Sequence, residues 1–242
     1  MCFTVNVNIV KEELEKQFNV PFIDHENYRP SYYYHAHAFP ELPAFGNFNH
    51  ETNIRLLRWG LIPGWVSNPG DADEIRSLTL NARAETVDTK PSFAESYRHR
   101  RCIIPVRGFF EWQHIGGQKI PWYIYPPASG IMMLAGLYSS WHTGEDGNTL
   151  NTFTIVTTRA NELMSGIHNS KRRMPAIVRK EDVEAWVNED TERKKLDSIL
   201  KPFPDGRLEA HTISPLINRR DMNRNTEKII SPYTYPSQQS LF

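Results

Sequence analysis

The sequence lacks long apolar runs and has only two cysteines. No apolar stretch approaches the length needed to span a bilayer, and no basic segment followed by an apolar one opens the chain, so we expect neither a membrane anchor nor a secretory signal. Cys2 and Cys102 are too few and too far apart for a disulfide framework, a zinc ribbon or a CxxC motif. His35 and His37 form an H-x-H pair without a nearby cysteine or carboxylate, so we predict no metal site. Because the sequence offers no disulfide framework, we expect the protein to work in a reducing, cytoplasmic setting.

The chain also lacks an excess of charge of either sign. It carries 28 Lys and Arg residues against 28 Asp and Glu residues. This balance excludes a uniformly basic coat for nucleic acid but leaves room for a local basic face. The 242 residues are 39% hydrophobic, which is enough for a sizeable core without disulfides. Because no heptad pattern is visible, we expect a monomer.

Strand patterns outnumber helix patterns and are not separated by regular helical crossovers. The sequence therefore predicts an α+β fold, a single domain over residues 1–230 with a mainly antiparallel, barrel-like β core flanked by helices. A polar tail is expected over 231–242. Predicted strands are 54–62, 102–110, 122–125, 131–138, 153–157 and 208–213, and predicted helices are 11–18, 159–165, 180–189 and 191–200, with 28–51 read as loop containing short strands.

Cys2 follows the initiator Met1, and its small side chain favours removal of that methionine. The mature chain would then begin with an α-amine and a thiol on adjacent carbons, whose ordinary pKa values are about 7.7–8.0 and about 8.5. Such a pair converts an aldehyde to a Schiff base and then, by closure of the thiol, to a five-membered thiazolidine. The alternative is a cysteine buried simply as a small apolar residue.

A dense polar segment, 81–86, follows a short apolar run. Within it, the amide of Asn81 can orient a nucleophile, and Arg83 can bind a phosphate through two hydrogen bonds. The alternative is a loop in which Arg83 and Glu85 pair with each other.

Glu111 follows an apolar strand pattern and is flanked by Phe110 and Trp112. Partial burial would disfavour its carboxylate and raise its pKa toward the range useful for proton transfer. The alternative is a carboxylate at the end of a strand that points into solvent.

His168 lies just before three consecutive cations, Lys171, Arg172 and Arg173. Histidine is the side chain that titrates nearest neutrality, and a run of cations favours contact with phosphates. The alternative is a solvated basic loop with an incidental histidine.

Trp65 follows a Pro-Gly turn, which favours an exposed indole able to stack on a nucleic-acid base. The alternative is packing in the core, which we predict for Trp59.

Together and in this order, these segments resemble the SRAP (SOS-response-associated peptidase) family, whose members are understood as abasic-site-processing proteins of the DNA damage response. Phe3 and Thr4 stand where the family commonly has Gly and Arg. The resemblance extends from Cys2 to about Asn218. It is carried by residues 1–2, 59–65, 81–86, 107–112, 167–175 and 213–218.

The resemblance implies an enzyme that recognises abasic sites in single-stranded DNA, is associated with the nucleoid when bound, and needs no cofactor. It implies that, after removal of Met1, Cys2 forms a thiazolidine with the ring-opened deoxyribose through lyase-like Schiff-base chemistry. The implied roles are proton transfer for Glu111, sugar ring opening for His168, positioning of the amino terminus for Asn81, phosphate binding for Arg83 and Arg173, and DNA contact for Trp65, with Lys171 and Arg172 as further DNA-binding residues.

Two other functions remain open from the residues. One is a thiol peptidase whose amino-terminal Cys2 attacks an amide with His168 or Glu111 as base; its activity, which could be limited to self-processing, would be sensitive to thiol alkylation and independent of DNA. The other is a non-catalytic module for single-stranded nucleic acid, which would be indifferent to Cys2→Ala.

Overall fold

The computed structural model describes residues 2–142, 147–219 and 221–235, and over these residues the chain forms twelve β-strands and six α-helices. None of the helices in these ranges is long and apolar enough to cross a membrane. The strands are β1 (Thr4–Val7), β2 (Ser31–His35), β3 (Glu41–Phe48), β4 (Glu51–Trp59), β5 (Asn81–Arg83), β6 (Arg101–Val106), β7 (Gly108–Ile115), β8 (Gln118–Tyr125), β9 (Met132–His142), β10 (Thr149–Arg159), β11 (Arg173–Pro175) and β12 (Glu209–Thr212). The helices are α1 (Lys11–Phe18), α2 (Pro69–Leu78), α3 (Ala94–His99), α4 (Glu162–Ile167), α5 (Val183–Val187) and α6 (Arg193–Ile199).

Five strands close into a barrel in the order β10, β4, β3, β6, β9, with β9 pairing back onto β10. Neighbours are antiparallel except for β4 and β10, which are parallel. Large apolar side chains such as Trp59 and Phe153 are fully buried, and the Trp59 indole N–H donates to the Leu80 carbonyl oxygen at 2.8 Å. At one end of β10, β5 pairs in parallel and β11 antiparallel, so the two strands that carry Asn81 and Arg173 extend the barrel wall.

A second, five-stranded antiparallel sheet has the order β12, β8, β7, β1, β2. Between β6 and β7 the chain passes from the barrel into this sheet through a single residue, Arg107. The next residue must be glycine, because a Cβ on Gly108 would overlap the Ile124 carbonyl oxygen and lie 2.7 Å from the Tyr123 ring. The strand that carries Glu111 is therefore joined to the barrel without a flexible loop.

The α+β class and the barrel-like, mainly antiparallel core are confirmed, as is the helix over 11–18. The single strand predicted over 102–110 is wrong, because the chain changes sheet at Arg107. The segment 28–51 is more ordered than expected: it contains the eight-residue β3, which turns into β4 through Asn49 and His50, both at positive φ.

The predicted tail begins packed against the second sheet. The backbone N–H of Tyr233 donates to the Thr212 carbonyl oxygen at 2.8 Å, and the Tyr235 hydroxyl donates to the Ile213 carbonyl oxygen at 3.0 Å. Residues 236–242 lie outside the described residues. The domain boundary at residue 230 stays a prediction.

Candidate functional site

Cys2 lies two residues before the start of β1, which is placed between β2 and β7 in the second sheet. Val5 pairs with Phe109 in an antiparallel register, and continuing that register places the amino end of the chain beside Glu111. The Cys2 side chain is 0% exposed. Its pKa is raised, first because burial disfavours the thiolate and second because the Glu111 carboxylate is close to it. The structure therefore brings Cys2 and Glu111 together.

Glu111 and His168 form a buried pair. The Nδ1 atom of His168 lies 3.7 Å from Oε1 of Glu111, and each residue is 5% exposed. Burial raises the pKa of Glu111 to about 7 and lowers that of His168 to about 4. Near neutrality the carboxyl group thus populates both of its forms while the imidazole is neutral. The alternative of a solvent-pointing carboxylate at residue 111 is wrong, because the side chain points inward.

The tautomer of His168 follows from its partner. Its Nδ1 atom lies 2.9 Å from the carbonyl oxygen of Arg173. A carbonyl oxygen only accepts, so Nδ1 carries the hydrogen and Nε2 keeps its lone pair. The neutral ring is thereby fixed with one nitrogen able to accept a proton.

Two side chains that sequence reasoning missed tie the His168 loop to the strand of Glu111. The Asn169 amide donates to the His114 carbonyl oxygen at 2.8 Å and accepts from the His114 backbone N–H at 3.0 Å. The Gln113 amide donates to the Gly166 carbonyl oxygen at 3.0 Å. The two segments are more than fifty residues apart along the chain, and no local pattern reveals such contacts.

Asn81 lies on β5, paired with Ile155 of β10. Both polar atoms of its side chain are buried, and neither has a hydrogen-bond partner among the described residues. A buried amide with neither end bonded is rare, and it leaves one donor and one acceptor for a bound group. The structure does not place Asn81 in hydrogen-bond contact with the pair of Glu111 and His168.

Arg173 is held by the protein itself. Its Nη1 atom lies 2.6 Å from Oε1 of Glu85, and Nη2 donates to the Thr157 carbonyl oxygen at 2.6 Å. Although burial acts in the opposite direction, this hydrogen bond leaves the pKa of Glu85 lowered. The alternative in which Glu85 pairs with Arg83 is wrong, since its partner is Arg173, and Arg83 is exposed.

The remaining predicted contacts lie at the surface. Lys171 and Arg172 are exposed, and the charge of Lys171 acts on both Glu111 and His168, which places it on the same side of the fold. Trp65 is 60% exposed, and its indole N–H donates to the Pro91 carbonyl oxygen at 3.3 Å. The exposed indole at 65 and the buried indole at 59 agree with expectation, whereas DNA contact by these residues stays a prediction.

The arrangement sets a buried thiol beside a carboxyl group that can donate or accept a proton near neutrality, with a neutral imidazole behind it. Such a set suits a carbonyl reaction in several steps, each of which moves a proton. Within the parts of the chain that the structure describes, no three or more His, Cys, Asp or Glu side chains are grouped to hold a metal ion.

Comparison with known proteins gives a consistent result. The family described as SOS response associated peptidase (SRAP) matches residues 1–220. Abasic site processing protein YoqW of Bacillus subtilis is 39% identical over 223 residues, covering 90% of this chain and 94% of YoqW. Abasic site processing protein YobE of the same organism is 37% identical over 227 residues, covering 92% of this chain and 98% of YobE. A crystal structure of a protein from Bacteroides thetaiotaomicron matches with a TM-score of 0.90 and 34% identity, covering 96% of this chain and 100% of that one.

Proposed function

Because this chain belongs to the SOS response associated peptidase (SRAP) family, we propose that it processes abasic sites in single-stranded DNA, and that it does so by linking Cys2 covalently to the sugar aldehyde. Relatives that are 39% and 37% identical are named abasic site processing proteins, which supports the substrate. The observation that supports the chemistry is the burial of Cys2 near the Glu111 carboxyl group, which in turn lies 3.7 Å from Nδ1 of His168.

The proposed reaction begins with removal of Met1, which lies outside the described residues and whose loss exposes the α-amine of Cys2. The ring-opened sugar presents C1′ as an aldehyde, and the amine adds to it to give a carbinolamine. Protonation of the carbinolamine hydroxyl releases water and leaves an imine. The Cys2 sulfur then bonds to the same carbon while the imine nitrogen gains a proton. The sum is aminothiol plus aldehyde giving thiazolidine plus water, with no change of oxidation state.

Glu111 is suited to the two proton transfers of this sequence. With a pKa of about 7 it can donate as the acid to the departing hydroxyl and then, as the carboxylate, accept the thiol proton. The raised pKa of Cys2 keeps the thiol protonated until that base acts. His168 offers Nε2 to take the proton from the hemiacetal hydroxyl when the sugar ring opens.

The test incubates the protein, its amino terminus checked by mass spectrometry, with a single-stranded oligonucleotide carrying one abasic site. A heat-stable band shifted on a denaturing gel is expected for the wild type and not for Cys2→Ala, and not with undamaged DNA. Cys102→Ala is the matched control, because Cys102 is the other buried free thiol and lies in the barrel wall. Its crosslinking should be unchanged.

A wild type that forms no such band would refute the crosslinking proposal. Retention of Met1 should also abolish the band, since the α-amine of Cys2 is then part of a peptide bond. Hydrolysis of peptides without DNA, blocked by alkylation of Cys2, would instead favour the peptidase.

A further inference from the structure

Four aromatic rings form a continuous line that starts at the residue after Cys2. The ring centroids of Phe3 and His37 are 5.1 Å apart, those of His37 and His35 are 5.2 Å apart, and those of His35 and Tyr33 are 6.3 Å apart. We call this line the aromatic edge. It runs along β2, which is the outer strand of the second sheet.

Hydrogen bonds to the backbone hold the aromatic edge in place beside the amino terminus. The Ala36 backbone N–H donates to the Phe3 carbonyl oxygen at 2.8 Å, next to the pairing of Thr4 with His35. The His37 backbone N–H donates to Nδ1 of His35 at 3.3 Å. The line is thus tied to β1, the strand that positions the reactive cysteine.

An arginine fixes the far end of the line. The Arg224 guanidinium lies 4.3 Å from the centroid of the Tyr33 ring, and its Nη1 donates to the Tyr33 hydroxyl at 2.8 Å. This contact holds the Tyr33 ring in place and puts one positive charge at the end of the aromatic edge. Such a charge can attract the phosphate backbone of a nucleic acid.

Solvent reaches all four residues of the aromatic edge. His37 is exposed, and the other three residues are partly exposed. The pKa of His35 is lowered, first because burial disfavours the charged ring and then because His37 and Arg224 lie near it. Aromatic rings in line with one terminal cation fit a strand whose bases stack and whose phosphates stay in solvent.

We propose that the aromatic edge stacks on the bases of the nucleotides that flank the abasic site on one side. This inference rests on the proposed function, because Cys2 marks where the lesion must sit. An abasic nucleotide has no base on which a side chain could stack, so stacking energy must come from the neighbouring nucleotides. Stacking on aromatic faces accepts any base, which suits a lesion that arises in any sequence.

The test measures binding with the Cys2→Ala protein, which separates affinity from covalent attachment. The ligands are short single-stranded oligonucleotides with one tetrahydrofuran abasic analogue. In two further ligands, the bases on the 5′ side or on the 3′ side are replaced by the same analogue. Phe3→Leu and His37→Leu remove an aromatic ring but keep a side chain of similar size, whereas Phe3→Tyr and His37→Tyr keep a ring. His99→Leu is the control, since His99 is an exposed histidine on α3.

Each leucine variant should weaken binding to the fully based oligonucleotide by about tenfold, as expected for one lost base–aromatic contact. The loss should vanish when the bases on one side, and one side only, are already missing. The tyrosine variants and His99→Leu should bind as tightly as their parent. A loss of equal size on all three oligonucleotides, or no loss at all, would overturn the proposal. If Phe3→Leu does not fold, the exposed His37 gives the same test alone.

Crosslinking by proteins that retain Cys2 is recorded separately. If the protein crosslinks but the leucine variants lose no affinity that depends on the flanking bases, the proposal for the aromatic edge is overturned and the proposed function stands. If the affinity loss depends on the flanking bases but no crosslink forms, the proposed function is overturned and the proposal for the aromatic edge stands.

Discussion

Glu111→Gln should make the protein more stable in alkaline solution and at the same time slow the proposed crosslinking reaction. Burial raises the pKa of Glu111 from 4.5 to about 7. At about 1.36 kcal/mol per pKa unit, ionising this carboxyl group inside the fold costs about 3 kcal/mol more than in the unfolded chain. Glutamine has the same shape and carries no charge, so the variant avoids that cost.

The sign follows from proton binding. Between pH 4.5 and about 7 the folded protein holds a proton on Glu111 that the unfolded chain has lost. The free energy of unfolding contributed by this group therefore falls as the pH rises through that window and is constant above it. His168, whose pKa is lowered to about 4, contributes stability that is lost as the pH falls below 6.5. With a pKa of about 4, the folded His168 of the wild type is neutral between pH 5 and pH 8, and the unfolded residue titrates alike in both proteins, so its contribution to their difference is small.

Urea unfolding followed by tryptophan fluorescence at pH 5 and pH 8 measures the effect. The stability of Glu111→Gln relative to the wild type should rise by about 2–3 kcal/mol between the two pH values. Glu74→Gln, at an exposed position on α2, is the control and should show no such rise. A difference between Glu111→Gln and wild type that is the same at both pH values would refute the buried-acid reasoning. The same variant should crosslink abasic DNA about 10²- to 10⁴-fold more slowly.

Three other substitutions test the positioning of the site. Asn169→Ala removes two hydrogen bonds that hold the loop of His168. In a series of protein concentrations, the maximal rate of crosslinking should fall by about 10- to 100-fold, while the concentration that gives half of that rate, which reports DNA affinity, should stay the same. Trp65→Ala should change the free energy of unfolding by less than about 0.5 kcal/mol, because the side chain is 60% exposed, yet weaken DNA binding about tenfold in a titration; unchanged affinity would remove Trp65 from the interface. Gly108→Ala should destabilise the fold by at least about 2 kcal/mol in urea unfolding, because its Cβ overlaps the Ile124 carbonyl oxygen; a smaller loss would mean that β8 can shift.

Helices and strands are predicted well from the sequence where a single residue pattern dominates a segment. The α1 helix is found at its true ends because Leu14 and Phe18 mark one face. Apolar periodicity does not predict the α2 helix, although a start signal is present: Asn68 caps the N–H of Asp71 and Pro69 occupies the first turn. An apolar periodicity search overlooks such a helix, since only Ala72 within it is buried.

The change of sheet at Arg107 is harder to read from residues alone. The apolar run continues across it, and hydrophobicity does not distinguish a long strand from two strands in different sheets. The available clue is Gly108, because a glycine inside a strand pattern marks a close approach of backbones.

For the site, residue types predicted the candidates but not their partners. The aromatic neighbours of Glu111 predict that it is buried with a raised pKa, and in the structure the residue is buried, which raises that pKa. The pairing of Glu85 with Arg173 joins residues 88 positions apart and depends on β5 and β11 meeting across β10, which only the topology reveals. The roles of Cys2, Asn81 and the surface cations stay predictions.

The position of β1 has a mechanical consequence. This strand is hydrogen-bonded along both edges, to β2 and to β7, and Phe3 alone separates it from Cys2. In the proposed adduct, tension on the DNA reaches the protein through Cys2, and its component along the strand axis acts on β1. The interstrand hydrogen bonds lie across that axis, so they are loaded in shear and resist together rather than opening one by one. We expect a higher rupture force in optical-tweezers pulling from Cys2 than from the edge strand β2; equal forces would contradict this. If the proposed adduct forms, a strand anchored in this way would keep the protein attached to DNA that is under tension.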